Sequence, residues 1–213
     1  MDPLDPSYKN IKLLGTKLDT KKDIEARKAK VWNPIKKFRP YFKSKRISPK
    51  HKTRIFRTYI EPILLYNSET WTLTQTLENS LDAFQRKLLR ISLNYIYPKK
   101  ISNKNLYNLT KETPLSQKLK KRRLNIFGHI LRLHPDTPAQ KALQYYLTPH
   151  KRPVGRPPLT WIAQITKDLA PTLKHHNITR PLTKTTLAKI KTIADDRQTW
   201  RKEVARSTRS NPQ

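Results

Sequence analysis

The sequence predicts an all-α protein built from several amphipathic helices with proline-marked boundaries and at most one short N-terminal strand. Three observations lead to this prediction. Apolar residues recur at spacings of three and four along most of the chain, which is the period of one helix face. Ser or Thr directly precedes Pro at several helix starts, a pair that suits the N-cap and the first helical position. The 213 residues include 17 prolines and only three glycines, so prolines mark most of the boundaries.

The first third of the chain predicts one strand and two helices. The strand is expected at residues 11–14, and a charged helix capped by Asp19 or Thr20 follows it. Ser48 and Pro49 form a strong helix start. Pro62 is expected to kink or end that helix, because proline lacks the backbone N–H and clashes with the preceding turn.

The clearest helix lies in the middle of the chain. Its apolar residues recur at spacings of four and three, and basic residues lie on its other faces. The predicted stripe consists of Leu77, Leu81, Phe84, Leu88, Ile91 and Tyr95. The stripe is narrow, as are those elsewhere in the chain, so we expect a small and divided core.

The second half predicts five more helices from the same signals. Their starts are expected at Ser102, at Thr113-Pro114, at Thr137-Pro138, near Thr160, and before a last helix that carries the apolar residues Leu187, Ile190, Ala194 and Trp200. Three tryptophans, Trp71, Trp161 and Trp200, lie on or beside apolar stripes, which favours core packing over base stacking.

Composition excludes several functional classes. The absence of cysteine excludes a disulfide scaffold and a Cys-ligated zinc site. No apolar run reaches the roughly 18 residues of a membrane span, and the N-terminus lacks the pattern of a secretory signal. Lys and Arg number 46 against 15 Asp and Glu, for a net charge of +31. Much smaller charges suffice for solubility, so this excess predicts a polyanionic partner, of which nucleic acid is the usual one.

Basic residues form three candidate nucleic-acid contact sites. The first lies on a helix with an intact apolar stripe and consists of Lys118, Lys121, Arg122, Arg123 and Arg132. The second surrounds Phe38, Tyr41 and Phe42, where aromatic and basic residues alternate as on nucleic-acid surfaces, and includes Lys43, Lys45 and Arg46. A core position for these aromatic residues is the open alternative.

The third basic site is the segment 151–158, which contains Lys151, Arg152 and Arg156. Its Gly-Arg-Pro core resembles an AT-hook, which lies extended in a narrow minor groove. Val154 replaces the arginine expected before the glycine. The alternative, which we favour, is a stiff proline-rich linker between two helices.

Acidic residues and histidines give no catalytic or metal site by sequence. His129, His134 and Asp136 have the composition of a metal site but straddle a helix end and a proline. The pair His175-His176 near Asp168 is disfavoured, because adjacent side chains on a helix diverge. Asp195-Asp196 is expected to be a solvated helix face or a local salt-bridge pair. The prediction is therefore no catalytic residue, no metal ligand and no cofactor in this chain.

Five motifs occur in an order that is informative as a set. They are K-L-L-G at 12–15, I-L-L-Y-N-S-E-T-W-T-L-T at 63–74 with L-D-A-F-Q-R-K-L-L-R at 81–90, R-R-L-N-I-F-G-H-I-L-R at 122–132, V-G-R-P-P-L-T-W at 154–161, and A-D-D-R-Q-T-W-R-K-E-V at 194–204. This order closely resembles the C-terminal part of the endonuclease–reverse transcriptase of RTE-like non-LTR retrotransposons. The resemblance covers essentially the whole chain.

The resemblance implies a place for each segment within an RNA-directed DNA polymerase. The matching primer-grip-like residues are Lys12, Leu13, Leu14 and Gly15. Residues 1–30 would be a palm-to-thumb connector that can lack order on its own, and 31–97 a helical thumb along the template–primer duplex. A helical extension at 98–148, a basic linker at 149–159 and C-terminal helices at 160–213 would follow.

The resemblance also implies that the catalytic palm and the endonuclease lie outside this sequence. The polymerase reaction needs carboxylates that hold two magnesium ions, so magnesium is expected only for the missing palm. No activity is expected of this chain alone, and the question of an enzyme depends on whether it is part of a longer product.

The sequence thus predicts a retrotransposon fragment that contacts RNA, RNA–DNA hybrid or DNA through phosphates. The palm of a reverse transcriptase is expected as a further partner, and no interaction with a membrane is expected. Two alternatives stay open. One is a host-adopted DNA-binding protein that uses the Gly-Arg-Pro segment, and the other is a basic scaffold protein that becomes ordered only in a complex. The cellular location is not specified; an intracellular protein is expected, and basic runs such as 120–123 are compatible with nuclear entry.

Overall fold

A computed structural model of the chain describes residues 11–148, 159–178 and 182–208. These residues are predominantly α-helical, which confirms the predicted fold class. The helices are α1 (Thr20–Lys30), α2 (Trp32–Lys43), α3 (Pro49–Ile55), α4 (Glu61–Leu64), α5 (Gln75–Ser92), α6 (Asn103–Thr110), α7 (Leu115–Arg132), α8 (Pro138–Leu147), α9 (Trp161–Asp168), α10 (Ala170–His175), α11 (Lys184–Asp195) and α12 (Arg197–Thr208). None of the helices in these ranges is both long and apolar enough to cross a membrane.

The predicted strand is the first half of a small antiparallel hairpin. Strand β1 (Lys12–Leu13) pairs with β2 (Thr16–Lys17), so that Leu13 lies opposite Thr16. The two turn residues, Leu14 and Gly15, both have positive φ, as the type I′ turn of a two-residue hairpin requires.

Most predicted helix starts are confirmed by their caps. The carboxylate of Asp19, rather than Thr20, accepts the backbone N–H of Lys22 at 2.9 Å. The hydroxyls of Ser48, Ser102 and Thr160 accept amides in the first turns of α3, α6 and α9. Thr137 precedes α8 as expected, but its hydroxyl donates to the carbonyl of His134 instead.

Two helices differ from their predicted course. A π-helical segment, Phe56–Ile60, lies between α3 and α4, and the helical path continues past Pro62 to Leu64. A π-turn is one of the adjustments by which a helix accommodates a local disturbance of its hydrogen bonds. The predicted last helix is two helices, α11 and α12, because Asp196 leaves helical geometry between them.

The chain divides into two compact units, and the division falls within α7. Unit 1 comprises 1–68 and 73–116, and unit 2 comprises 69–72 and 117–213. Each unit has its own buried apolar residues. Those of unit 1 include Ile24, Val31, Phe42, Phe56, Leu64, Leu81, Leu88 and Leu106, and those of unit 2 include Trp71, Leu124, Phe127, Leu143, Ile165, Leu173, Ile190 and Trp200.

Candidate nucleic-acid interface

The end of α2 and the connection to α3 in unit 1 carry three exposed cations, Lys43, Lys45 and Arg46. Helix α2 ends where the backbone N–H of Ser44 donates to the carbonyl of Pro40, and α3 begins after the Ser48 cap. Residues 31–60 contain ten Lys and Arg and no acidic residue. The three cations therefore lie in a stretch of chain with no carboxylate of its own to balance them.

Buried contacts hold this connection in place. Phe42 is 1% exposed and anchors the end of α2 in the core of unit 1. The ammonium of Lys52 in α3 donates to the carbonyl of Phe42 at 2.7 Å. Burial lowers the pKa of Lys52 below the ordinary range of lysine. The buried lysine joins α3 to the end of α2, so it serves the scaffold rather than the surface.

Two open hollows of unit 1 adjoin these cations. A hollow of about 250 Å³ is lined by Lys43, Lys45, Lys52, Tyr95 and Lys99, among others. A second, of about 610 Å³, is lined by Arg46, His51, Arg54 and Tyr59, among others. We call the exposed cations around these hollows the basic groove: Lys43, Lys45, Arg46, Arg54 and Lys99.

Aromatic rings lie beside the basic groove. The rings of Phe38 and Tyr59 lie 4.8 Å apart between centroids, and Phe38 also contacts Tyr41 at 6.1 Å. Tyr41 and Tyr59 are each 52% exposed, whereas Phe42 is buried. The aromatic residues that the sequence grouped together are thus divided between surface and core. Exposed rings next to cations are the elements of a surface on which nucleic-acid bases stack.

The basic cluster of α7 is also divided by the structure. Lys121 and Arg122 are exposed, and a guanidinium nitrogen of Arg122 lies 3.8 Å from a carboxylate oxygen of Glu69. Lys118 is half-buried. These three stay candidates for phosphate contact.

Arg123 and Arg132 are not exposed in the way that the prediction of phosphate contact requires. Arg123 has no exposed surface, and its Nε donates to Oδ2 of Asp168 at 2.7 Å. It is four residues from both Leu119 and Phe127, so the helical period places it among the apolar side chains. Arg132 is half-buried and donates to the carbonyl of Ala194 at 2.8 Å. Arg123 is therefore a core ion-pair partner, and Arg132 contacts the end of α11.

The remaining candidates fall on the hairpin and outside the described residues. Lys151, Arg152 and Arg156 lie outside the described residues. Of the primer-grip-like residues, Leu14 is 90% exposed, and the phenol of Tyr66 donates to its carbonyl at 3.0 Å. Lys12, Leu13 and Gly15 are exposed as well, and Arg27 donates to the Gly15 carbonyl at 2.9 Å.

Asp195 and Asp196 have a structural role at a helix boundary. Asp195 is the last residue of α11. The carboxylate of Asp196 accepts the Thr199 hydroxyl at 2.5 Å and the backbone N–H groups of Gln198 and Thr199 at 2.9 and 3.1 Å. The Thr199 hydroxyl, and then the two amides, lower the pKa of Asp196 below the usual range of a carboxyl group. Asp196 thus acts as the N-cap of α12.

Comparison with known proteins gives a transposon-derived relative. The chain is 24% identical over 163 residues to an uncharacterized transposon-derived protein of Caenorhabditis elegans. The aligned part covers 75% of this chain and 56% of the relative, so the chain spans little more than half of that protein. The similarity supports a transposon origin. No protein-family model and no solved structure matches the chain.

Proposed function

We propose that the chain binds nucleic acid through the phosphate backbone and that the basic groove of unit 1 is the main contact surface. One observation carries this proposal: the exposed cations Lys43, Lys45, Arg46 and Arg54 line open hollows within a 30-residue stretch that has no acidic residue. A cation that replaces the counterions of a phosphate gains affinity from their release, without reading the base sequence.

The proposed ligand is RNA or an RNA–DNA hybrid, bound by what would be the thumb and C-terminal extension of a retrotransposon reverse transcriptase. The order of the five sequence motifs supports this assignment, and the transposon-derived relative supports the transposon origin on which it rests. The chain would contribute grip on the template–primer duplex, and the palm of the full polymerase would supply the carboxylates and magnesium. No catalytic step is assigned to residues of this chain.

A binding titration against labelled RNA–DNA hybrid, structured RNA and duplex DNA at several salt concentrations tests the proposal. The variant K43A/K45A/R46A removes three groove cations. The control variant K184A/K189A/R201A removes the same charge from exposed positions of unit 2. On duplex DNA each phosphate contact contributes about 0.9 to the slope of log binding constant against log salt concentration. If each groove cation contacts one phosphate, the groove variant should therefore reduce the magnitude of this slope by about 2.7.

The outcomes separate the candidate functions. A preference for hybrid or structured RNA, with the larger loss in the groove variant, supports the proposal. Equal losses in both triple variants would mean that net charge alone attracts the nucleic acid. A preference for A·T-rich duplex that disappears in Arg156→Ala would favour the host-adopted DNA-binding protein instead, since that arginine is the one expected to enter the minor groove.

A further inference from the structure

Two histidines and a glutamate meet in unit 2, where the end of α10 packs on α12. Nε2 of His176 lies 3.3 Å from Oε1 of Glu203, and Nδ1 of His175 lies 3.8 Å from the same oxygen. One ligand atom from each of the three residues lies within 4.8 Å of the others. The cluster shares no residue with the basic groove, all of whose residues belong to unit 1.

The end of α10 explains why adjacent histidines point to one place. His175 is the last helical residue, and His176 is the C-cap, with φ −97° and ψ 13°. Their rings are nearly perpendicular, with centroids 4.6 Å apart. Side chains that would diverge on a continuing helix therefore converge on Glu203. The hydroxyls of Thr172 and Ser207, 2.9 Å apart, join the two helices beside the cluster.

The cluster contains buried polar atoms without hydrogen-bond partners. Glu203 is 4% exposed, and its Oε1 accepts a guanidinium N–H of Arg206 at 2.5 Å. Its Oε2 and Nε2 of His176 are both buried and have no hydrogen-bond partner. Buried polar atoms are nearly always satisfied, because an unmet donor or acceptor loses its hydration without compensation. These two atoms therefore point to a ligand that accepts electron pairs from both.

We propose that His175, His176 and Glu203 bind a divalent transition-metal ion of the zinc class. Two imidazoles and one carboxylate are a common ligand set for zinc, with a fourth position left for water. Calcium and magnesium prefer oxygen ligands, so the two nitrogens select against them. Metal bonds of about 2.0–2.1 Å place tetrahedral ligand atoms about 3.3 Å apart. Small shifts of these three side chains would be enough to reach that spacing.

The positive charge of Arg206 offsets part of the negative charge of Glu203, but Arg206 leaves one carboxylate oxygen of Glu203 available as a ligand. The guanidinium occupies Oε1 of Glu203 and fixes the carboxylate, as outer partners of metal ligands commonly do. Oε2, which is buried and has no hydrogen-bond partner, would be the oxygen left to bind the ion. The bound metal would join the end of α10 to α12 and keep one position open for water.

Zinc titration of the full-length, chelator-treated protein by calorimetry tests the site, together with the visible absorption of Co²⁺ as a probe of tetrahedral coordination. We expect one high-affinity ion per chain. His176→Ala and Glu203→Gln should weaken binding at least tenfold. His175→Ala should do the same, and it is the variant least expected to disturb the fold because its side chain is 49% exposed.

His134→Ala is the matched control, since Nδ1 of His134 lies 3.4 Å from a carboxylate oxygen of Asp136 in an exposed pair of the same unit. It should bind zinc like the wild type. Zinc should also raise the Tm of the wild type and of His134→Ala, but not of His175→Ala. Unchanged zinc affinity in the three site variants, or an equal loss in His134→Ala, would overturn the proposal and leave a histidine–glutamate ion pair.

Discussion

The indole of Trp200 in α12 lies directly over Gly128 in α7. Its Nε1 donates to the carbonyl of Leu124 at 3.2 Å, and a Cβ placed on Gly128 would come within 2.1 Å of the same nitrogen. Trp200 is 2% exposed and also contacts Phe127, at 6.3 Å between ring centroids. Glycine at 128 is therefore required for close helix packing in unit 2, since any side chain would occupy the space of the indole.

Gly128→Ala tests this packing, because two effects of opposite sign compete. In an exposed helix the change would stabilise by about 1 kcal/mol through helix propensity. Here the new methyl group overlaps the indole, and forced overpacking in a core typically costs about 1–3 kcal/mol. We expect a net decrease in the free energy of unfolding, measured by urea denaturation.

The double variant G128A/W200F serves as the control for this prediction. The three atoms nearest to the added Cβ all belong to the five-membered indole ring, which phenylalanine lacks. The two substitutions together should therefore cost less than the sum of their separate effects. An increase in stability from Gly128→Ala alone would contradict the proposed overlap.

Arg123→Ala should lower the free energy of unfolding rather than weaken nucleic-acid binding directly. The substitution leaves Asp168, whose side chain is 6% exposed, without its guanidinium partner. Removing one member of a buried ion pair typically costs about 3–5 kcal/mol. Lys121→Ala, an exposed change two residues earlier, should stay within about 0.5 kcal/mol of the wild type. Urea denaturation of both variants measures the difference, and equal stabilities would place Arg123 at the surface.

The helices and their starts were largely predictable because their signals are local. A cap such as Ser48 or Ser102 acts within three residues of its own position, so the sequence contains the whole interaction. The break at Asp196 was missed although its cap is just as local. Apolar residues resume beyond it at Trp200 and Val204, so the segment resembles one long helix, and the signal that separates the two helices is the carboxylate cap itself.

The candidate sites were predictable only in part, because composition does not show which helix face a residue occupies. Lys43, Lys45 and Arg46 lie at the surface as expected for a basic run without carboxylates. Lys99 joins them through packing between distant segments. Arg123 had a usable signal, its four-residue spacing from Leu119, but its partner is 45 residues away.

Gln85 is a second polar residue on an apolar stripe, and Gln85→Leu should destabilise unit 1. Its amide donates to the carbonyl of Thr113 at 2.9 Å, and its Oε1 accepts the backbone N–H of Leu115 at 3.1 Å. Leucine has a similar size but satisfies neither group, and an unmet buried group costs about 1–3 kcal/mol. Gln75→Leu, at an exposed position of the same helix, is the control. Urea denaturation should show a lower free energy of unfolding for Gln85→Leu alone. Equal decreases in both variants would contradict the role of Gln85 in satisfying these backbone groups.

Asp196→Ala should lower the Tm, and the loss should depend on pH. The cap hydrogen bonds favour the ionised carboxylate, which is why they lower the pKa of Asp196. A group with a lowered folded-state pKa stabilises the fold above its unfolded pKa of about 3.9, and this contribution disappears as the pH falls through the lower folded value. The Tm difference between wild type and Asp196→Ala should therefore be full at pH 7 and shrink on acidification below about pH 4. Asp195→Ala, which removes the same charge one residue earlier from an exposed position, should show neither effect. A Tm difference for Asp196→Ala that does not change with pH would show that the carboxylate charge plays no part in the boundary between α11 and α12.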